Sequence, residues 1–148
     1  MDLLALFLAA LIAATFLPAQ SEIVLSALVL AGTQPVWLLL AVATIGNVLG
    51  SCVNWAMGRF LMRFAGRRWF PFSAGQIARA QAWYGRYGWW SLFFAWVPII
   101  GDPLTLAAGI LREPFWRFLL VVGFGKFARY AALVWALLAA GEGLPAAP

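Results

Sequence analysis

Phe16-Leu17-Pro18-Ala19-Gln20-Ser21-Glu22 breaks an otherwise apolar N-terminal run with a proline and then sets a carboxylate four residues later. Neither is cheap at membrane depth. The same arrangement returns at an offset of 80, where Trp96-Val97-Pro98-Ile99-Ile100-Gly101-Asp102 puts Pro98 opposite Pro18, Gly101 opposite Ser21 and Asp102 opposite Glu22. Further matches follow at an offset of 79: Pro35 with Pro114, Trp37 with Trp116, and Gly46 with Gly125. Each half therefore reads as a broken apolar segment, a proline turn and a full helix. Two interrupted segments at corresponding places in two halves point to a binding site between repeats of a membrane protein.

The composition agrees with that setting. In 148 residues there is room for one domain, and 65% hydrophobic against 10% charged residues is the balance of an all-α integral membrane protein. Ten Lys and Arg against five acids make the chain basic, but the charges lie beside apolar segments. They orient the chain in a bilayer, and no nucleic-acid partner is expected. Cys52 is the one cysteine and histidine is absent, so no intrachain disulfide, Cys cluster or His ligand set is available. No metal or other cofactor is expected. Asp2 stands where a signal peptide would carry a basic residue, and Gln20-Ser21-Glu22 leads straight into more apolar chain, so the N-terminal run reads as part of the mature protein.

Leu3 to Leu17 and Ile23 to Ala31 are each short of the roughly 20 residues of a membrane crossing. One long kinked helix fits, and so does a re-entrant hairpin. After the turn at Gly32-Thr33-Gln34-Pro35, Val36 to Met57 is a full crossing that carries Asn47, Ser51, Asn54 and Gly58 at helical spacing. That face suits close helix packing or a polar pathway. Gly46 and Gly50 form a small-xxx-small pair, compatible with a homo-oligomer face or with internal packing.

Arg59, Arg63, Arg67, Arg68, Arg79 and Arg86 follow with no acid among them. Ser73 and Gln76 form a capping-box pattern, after which Ile77, Ala80, Trp83 (or Tyr84) and Tyr87 share a face opposite Arg79 and Arg86. An amphipathic helix lying in the membrane interface is expected, its arginines orienting the chain or collecting anionic headgroups. Trp89 to Leu111 holds the second break at Pro98 and Asp102-Pro103, Arg112-Glu113-Pro114 is a turn, and Phe118 to Ala140 is the last crossing. The expected organisation is a single membrane domain over 1–148: repeat 1 at 3–58, a basic interfacial linker at 59–88, repeat 2 at 89–140 and a tail at 141–148.

If each broken segment is a re-entrant helical hairpin, one half crosses the membrane once and the second half is inverted. Arg59 through Arg86, with Arg112 and Arg117, then fall on one side, while the N-terminus, the Thr33-Gln34 turn and the tail after Ala140 carry no Lys or Arg. The positive-inside rule makes the arginine side cytoplasmic and both termini periplasmic. The kinked, four-crossing alternative puts Arg112 and Arg117 on the wrong side, so two inverted repeats are preferred.

Glu22, Asp102, Lys126 and Arg129 remain at membrane depth. Each lone charge at a helix centre costs about 2.5–3.5 kcal/mol on insertion scales, so the four should meet. The expectation is that the two acids, at the tips of the broken segments, converge on Lys126 and Arg129 of the last helix, with Tyr130 beside them. Such a cluster serves as a static ion network or as a proton site, since carboxylates in a low-dielectric setting suit taking up and releasing a proton.

Glu22 after the broken run, Gly46-Asn47-Val48-Leu49-Gly50 leading to Trp55-Ala56-Met57-Gly58-Arg59, Trp96-Val97-Pro98-Ile99-Ile100-Gly101-Asp102-Pro103 followed by Ala108-Gly109, and Gly125-Lys126 with Arg129-Tyr130 together resemble the DedA family. The small YqaA-like branch is the nearest in pattern, and the resemblance covers almost the whole chain. It implies a bacterial inner-membrane protein related to the VTT-domain lipid scramblases, with re-entrant hairpins. The implied activity is movement of phospholipid or undecaprenyl phosphate between leaflets, with proton coupling suspected. Larger DedA proteins carry arginines three residues on either side of the second proline, and a Tyr before Gly-Arg. Here those places hold Ala95, Gly101 and Trp55, so phosphate recognition would fall to Lys126, Arg129 or Arg59.

The reading that results is a translocator of lipid or a small anion. Glu22 and Asp102 would couple protons or ions, Lys126, Arg129 and Arg59 would hold an anionic headgroup, and Pro18, Pro98, Gly101 and Pro103 would break the hairpins. The alternative is a non-transporting membrane-homeostasis or lipid-binding factor. No Ser-His, Cys-His or paired-aspartate set sits at a spacing that suggests an intramembrane enzyme.

Overall fold

The computed structural model describes residues 2–14, 20–60, 62–64, 66–97 and 100–142. Pro18 and Pro98 lie outside the described residues. Those described are helical or in turns, with no strand among them. Six helices follow one another: α1 (Asp2–Ala13), α2 (Gln20–Ala31), α3 (Val36–Phe60), α4 (Ala74–Tyr87), α5 (Gly101–Ile110) and α6 (Phe115–Glu142). A 3-10 turn at Met62–Phe64 follows α3, and a 3-10 helix at Gly88–Phe94 follows α4.

Proline, glycine and the capping box set most of the boundaries. The carbonyl of Pro35 accepts from Leu38 and Leu39, and that of Pro114 accepts from Phe118. A proline just before the first turn costs no helical bond, because that N–H would be unsatisfied anyway. Gly32, at φ +64, ends α2 in a conformation that an L side chain resists. Ser73 and Gln76 cap α4 reciprocally, as their spacing suggests. Pro103 falls in the first turn of α5, where its missing N–H is again harmless.

α3 and α6 are long and apolar enough to cross a membrane, and they pack antiparallel. Trp55, late in α3, meets Phe115 at the start of α6 with ring centroids 5.3 Å apart. At the other end, Leu39 and Ala43 of α3 share a buried cluster with Tyr130 and Val134 of α6. α1 and α2 pack on each other and on the first half of α3. α5 and the 3-10 helix complete the second cluster with Phe118, Val121 and Val122 of α6.

Glycines let the backbones approach. A Cβ on Gly58 would overlap the Leu106 carbonyl, and one on Gly109 would overlap the Trp55 carbonyl, so α3 and α5 interlock through reciprocal contacts. Gly46 and Gly50 seat α1 in the same way, a Cβ on Gly46 standing 2.7 Å from the Phe7 carbonyl. This pair is thus used for internal packing. In contrast, nothing lies within 4 Å of Cβ positions built on Gly123 or Gly141 of α6.

The outer surface is apolar. Ile23, Leu30, Trp37, Leu120, Phe124 and Trp135 are exposed, a belt that only a lipid surround makes inexpensive. On α4, Ile77, Ala80 and Tyr84 are buried while Arg79, Arg86, Trp83 and Tyr87 face outward. Tyr84, not Trp83, is therefore the inward aromatic. Before α5, the second broken segment is shorter and tighter than its counterpart: a 3-10 helix stands where the first half has the 12-residue α1.

Candidate functional site

Glu22 and Asp102 each occupy the first turn of a short helix, α2 and α5, where the helix dipole favours a carboxylate. Both are answered by α6. Arg129 forms an ion pair with Glu22 and donates from Nη1 to the Trp96 carbonyl at 2.9 Å. Lys126 Nζ lies 3.2 Å from Asp102 Oδ1. The Lys126 side chain is 5% exposed and that of Asp102 21%, whereas Arg129 and Glu22 are 22% and 31% exposed. One pair is thus sealed on its cationic side, and the other is open enough to exchange partners.

The polar face of α3 completes the cluster. Asn47 accepts from Lys126 through Oδ1 and donates to the Tyr130 hydroxyl at 2.9 Å. The Tyr130 and Ser21 hydroxyls are hydrogen-bonded to each other at 2.8 Å. Ser51 turns back to the Asn47 carbonyl at 3.2 Å. Asn54 donates at 2.8 Å to the Ala14 carbonyl and at 3.2 Å to Thr105, whose own hydroxyl donates at 2.6 Å to the Asp102 carbonyl. Asn54 is fully buried, and its Oδ1 has no partner among the described residues. Each helix thus contributes for a physical reason: a buried donor or acceptor must be matched, and the matches tie α2, α3, α5 and α6 at one level.

Asn47 and Lys126, which touch one another, are 79 residues apart, the same spacing as Pro35 and Pro114. A groove of about 420 Å³ runs between the 3-10 helix and α6, walled by Phe93, Phe94, Trp96 and Phe124, with Arg129 at its edge. An apolar path therefore joins the outer surface to the Arg129–Glu22 pair.

Not every residue singled out in the sequence belongs here. Arg59 lies 12 residues beyond Asn47 on α3, about 18 Å along the axis, where its guanidinium sits over Phe60 at 5.7 Å. It is remote from the other two cations. Gly101 opens α5 and packs against the Ala95 backbone, which a Cβ there would overlap.

A second polar centre went unread in the sequence. Glu113 is buried in the α5–α6 turn, where its carboxylate accepts the Tyr84 hydroxyl and faces Arg117 Nη1 at 3.2 Å. Its carbonyl accepts from Trp55 Nε1 at 3.2 Å, and Arg117 lies over Trp89 at 5.4 Å. Burial, with the Glu113 carboxylate beside it, pushes the Tyr84 phenol well above its ordinary range and keeps it a donor. The only clue was an acid placed between Arg112 and Pro114, which reads equally as an exposed turn.

Comparison with known proteins gives the family. The model of the VTT domain matches residues 17–139. The inner membrane protein YqaA of Escherichia coli is 36% identical over 133 residues, 90% of this chain and 89% of that protein. Its Shigella flexneri counterpart matches to the same extent. An uncharacterized protein of Haemophilus influenzae is 32% identical over 136 residues, 87% of this chain and 83% of its own length. No solved structure matches. With the family model and the relatives each covering most of the chain, this protein belongs to the VTT-domain, or DedA, family of membrane proteins.

Proposed function

We propose that this protein moves a phosphate-bearing lipid between the leaflets of a bacterial inner membrane. In this reading the α1–α2 pair and the 3-10 helix with α5 are re-entrant hairpins, entering from opposite faces as two inverted repeats. The antiparallel packing of α3 and α6 supports this, because it puts the turns before them at opposite ends of the bundle. The arginine-bearing end is cytoplasmic and both termini are periplasmic.

The observation that carries the proposal is the groove of about 420 Å³ reaching from the apolar surface to Arg129. It offers a lipid chain an apolar wall and its phosphate a guanidinium already held by a carboxylate. Arg129 favours phosphate because its planar fork can form two parallel hydrogen bonds. Phosphate and Glu22 compete for it, so a proton taken up by Glu22 frees Arg129, and the proton's departure expels the phosphate. Lys126, buried behind Asn47, stays paired with Asp102 while this exchange occurs.

The test is exchange of fluorescent and phosphorylated lipids in proteoliposomes, with and without a pH gradient. Glu22→Gln and Asp102→Asn should abolish exchange while folded protein remains in the membrane. Full activity in both variants would remove the coupling role. A second reading, a non-transporting lipid-binding or homeostasis factor, draws on the Ser21–Tyr130–Asn47–Lys126 chain, whose linked bonds suit a static brace. Absence of leaflet exchange by the intact protein favours it.

A further inference from the structure

A second groove, of about 280 Å³, lies between α4 and the start of α5, apart from the ion network. Its walls are Ala80, Ala82 and Trp83 from α4, Ile100 just before α5 and Pro103 within it; Gln76 and Arg79, both exposed, mark its mouth. The interior is almost entirely apolar, while the mouth presents donors. Gln76 Oε1 accepts the Ser73 N–H at 2.9 Å in the capping box, which leaves both amide N–H groups available to a ligand. Arg79 has no hydrogen-bond or ion-pair partner among the described residues. A positive charge and amide donors above an apolar slot are complementary to an amphiphile with an anionic head.

We infer that this groove is a binding site for an anionic phospholipid, with one acyl chain in the slot and the phosphate held by Arg79 and Gln76. Charge and placement select the occupant. α4 turns Arg79, Arg86, Trp83 and Tyr87 outward, the pattern of a helix lying at headgroup level, where the neighbouring molecules are lipids. The site is separate from Arg129, which belongs to the other groove, and it does not depend on whether lipid is transported. Its position gives it influence all the same. Ile100 and Pro103 stand on either side of Gly101 and Asp102, so a chain in the slot presses on the helix turn that carries Asp102.

Trp83 in the wall reports occupancy through quenching by lipids brominated on the acyl chain. Subtracting the signal of Trp83→Phe isolates its share from the nine tryptophans. In phosphatidylcholine vesicles, brominated phosphatidylglycerol at a low mole fraction should quench that share about fivefold more effectively than brominated phosphatidylcholine at the same fraction. Arg79→Gln and Ala82→Leu should each remove the excess, the first by taking the charge and the second by filling the slot. Arg68→Gln, an exposed arginine elsewhere, should keep it. Equal quenching by the two lipids, or an excess that survives Arg79→Gln or Ala82→Leu, would overturn the assignment and leave only an unselective lipid surround.

Discussion

Glu113 shows what a single side chain can hide. Flanked by Arg112 and Pro114 it reads as a solvated turn, yet Tyr84, 29 residues earlier, donates to it and buries it. No local pattern reveals a partner at that separation. Tyr84→Phe leaves the carboxylate short of a donor and should lower stability by about 1–3 kcal/mol, measurable as a fall in melting temperature in detergent. Glu22, Asp102, Lys126 and Arg129 were more legible, because the cost of a lone charge at membrane depth demands a partner and few candidates exist. The sequence could not rank them by access. Lys126→Met, which strands Asp102 beside a buried apolar chain, should cost about 3 kcal/mol. Reversing both charges of the exposed pair, Glu22→Arg with Arg129→Glu, should restore stability relative to either single variant but not leaflet exchange. Recovery of exchange would mean that the pair is a brace only.

At the level of elements, proline turns and helical spacing located α3, α4 and α6 within a few residues. The second broken segment was harder to read. Trp89 to Val97 is apolar except for Ser91, and nothing in that run distinguishes a 3-10 helix from an α-helix. The polar face of α3 was legible as a face but not as a set of partners, since Asn54 reaches Ala14 and Thr105, which lie far from it in sequence. Its glycines proved decisive for packing. Gly109→Leu, driven into the Trp55 carbonyl, should displace α5 from α3 and destabilise the fold by at least about 1–3 kcal/mol. Gly123→Leu, with open space around it, should leave the melting temperature almost unchanged.

For the molecule as a whole, the offset of 79 to 80 between the halves was visible only because prolines and acids are scarce enough for their recurrence to stand out. Thiols placed singly at positions 33 and 115, in a Cys52→Ala background, should react with an impermeant reagent from opposite sides of the membrane. Reaction from the same side would end the inverted arrangement. The glycine contacts described above also divide the molecule mechanically. α1 and α5 are keyed into α3 by backbone, whereas α6 rests on side chains, which yield to shear more readily than interlocked main chain does. In the proposed exchange, the helix bearing both cations is the slider and the other three form the stator against which it moves. On that proposal, a disulfide from Trp55→Cys to Phe115→Cys should stall leaflet exchange and release it on reduction, while one joining α1 to α3 should go unnoticed.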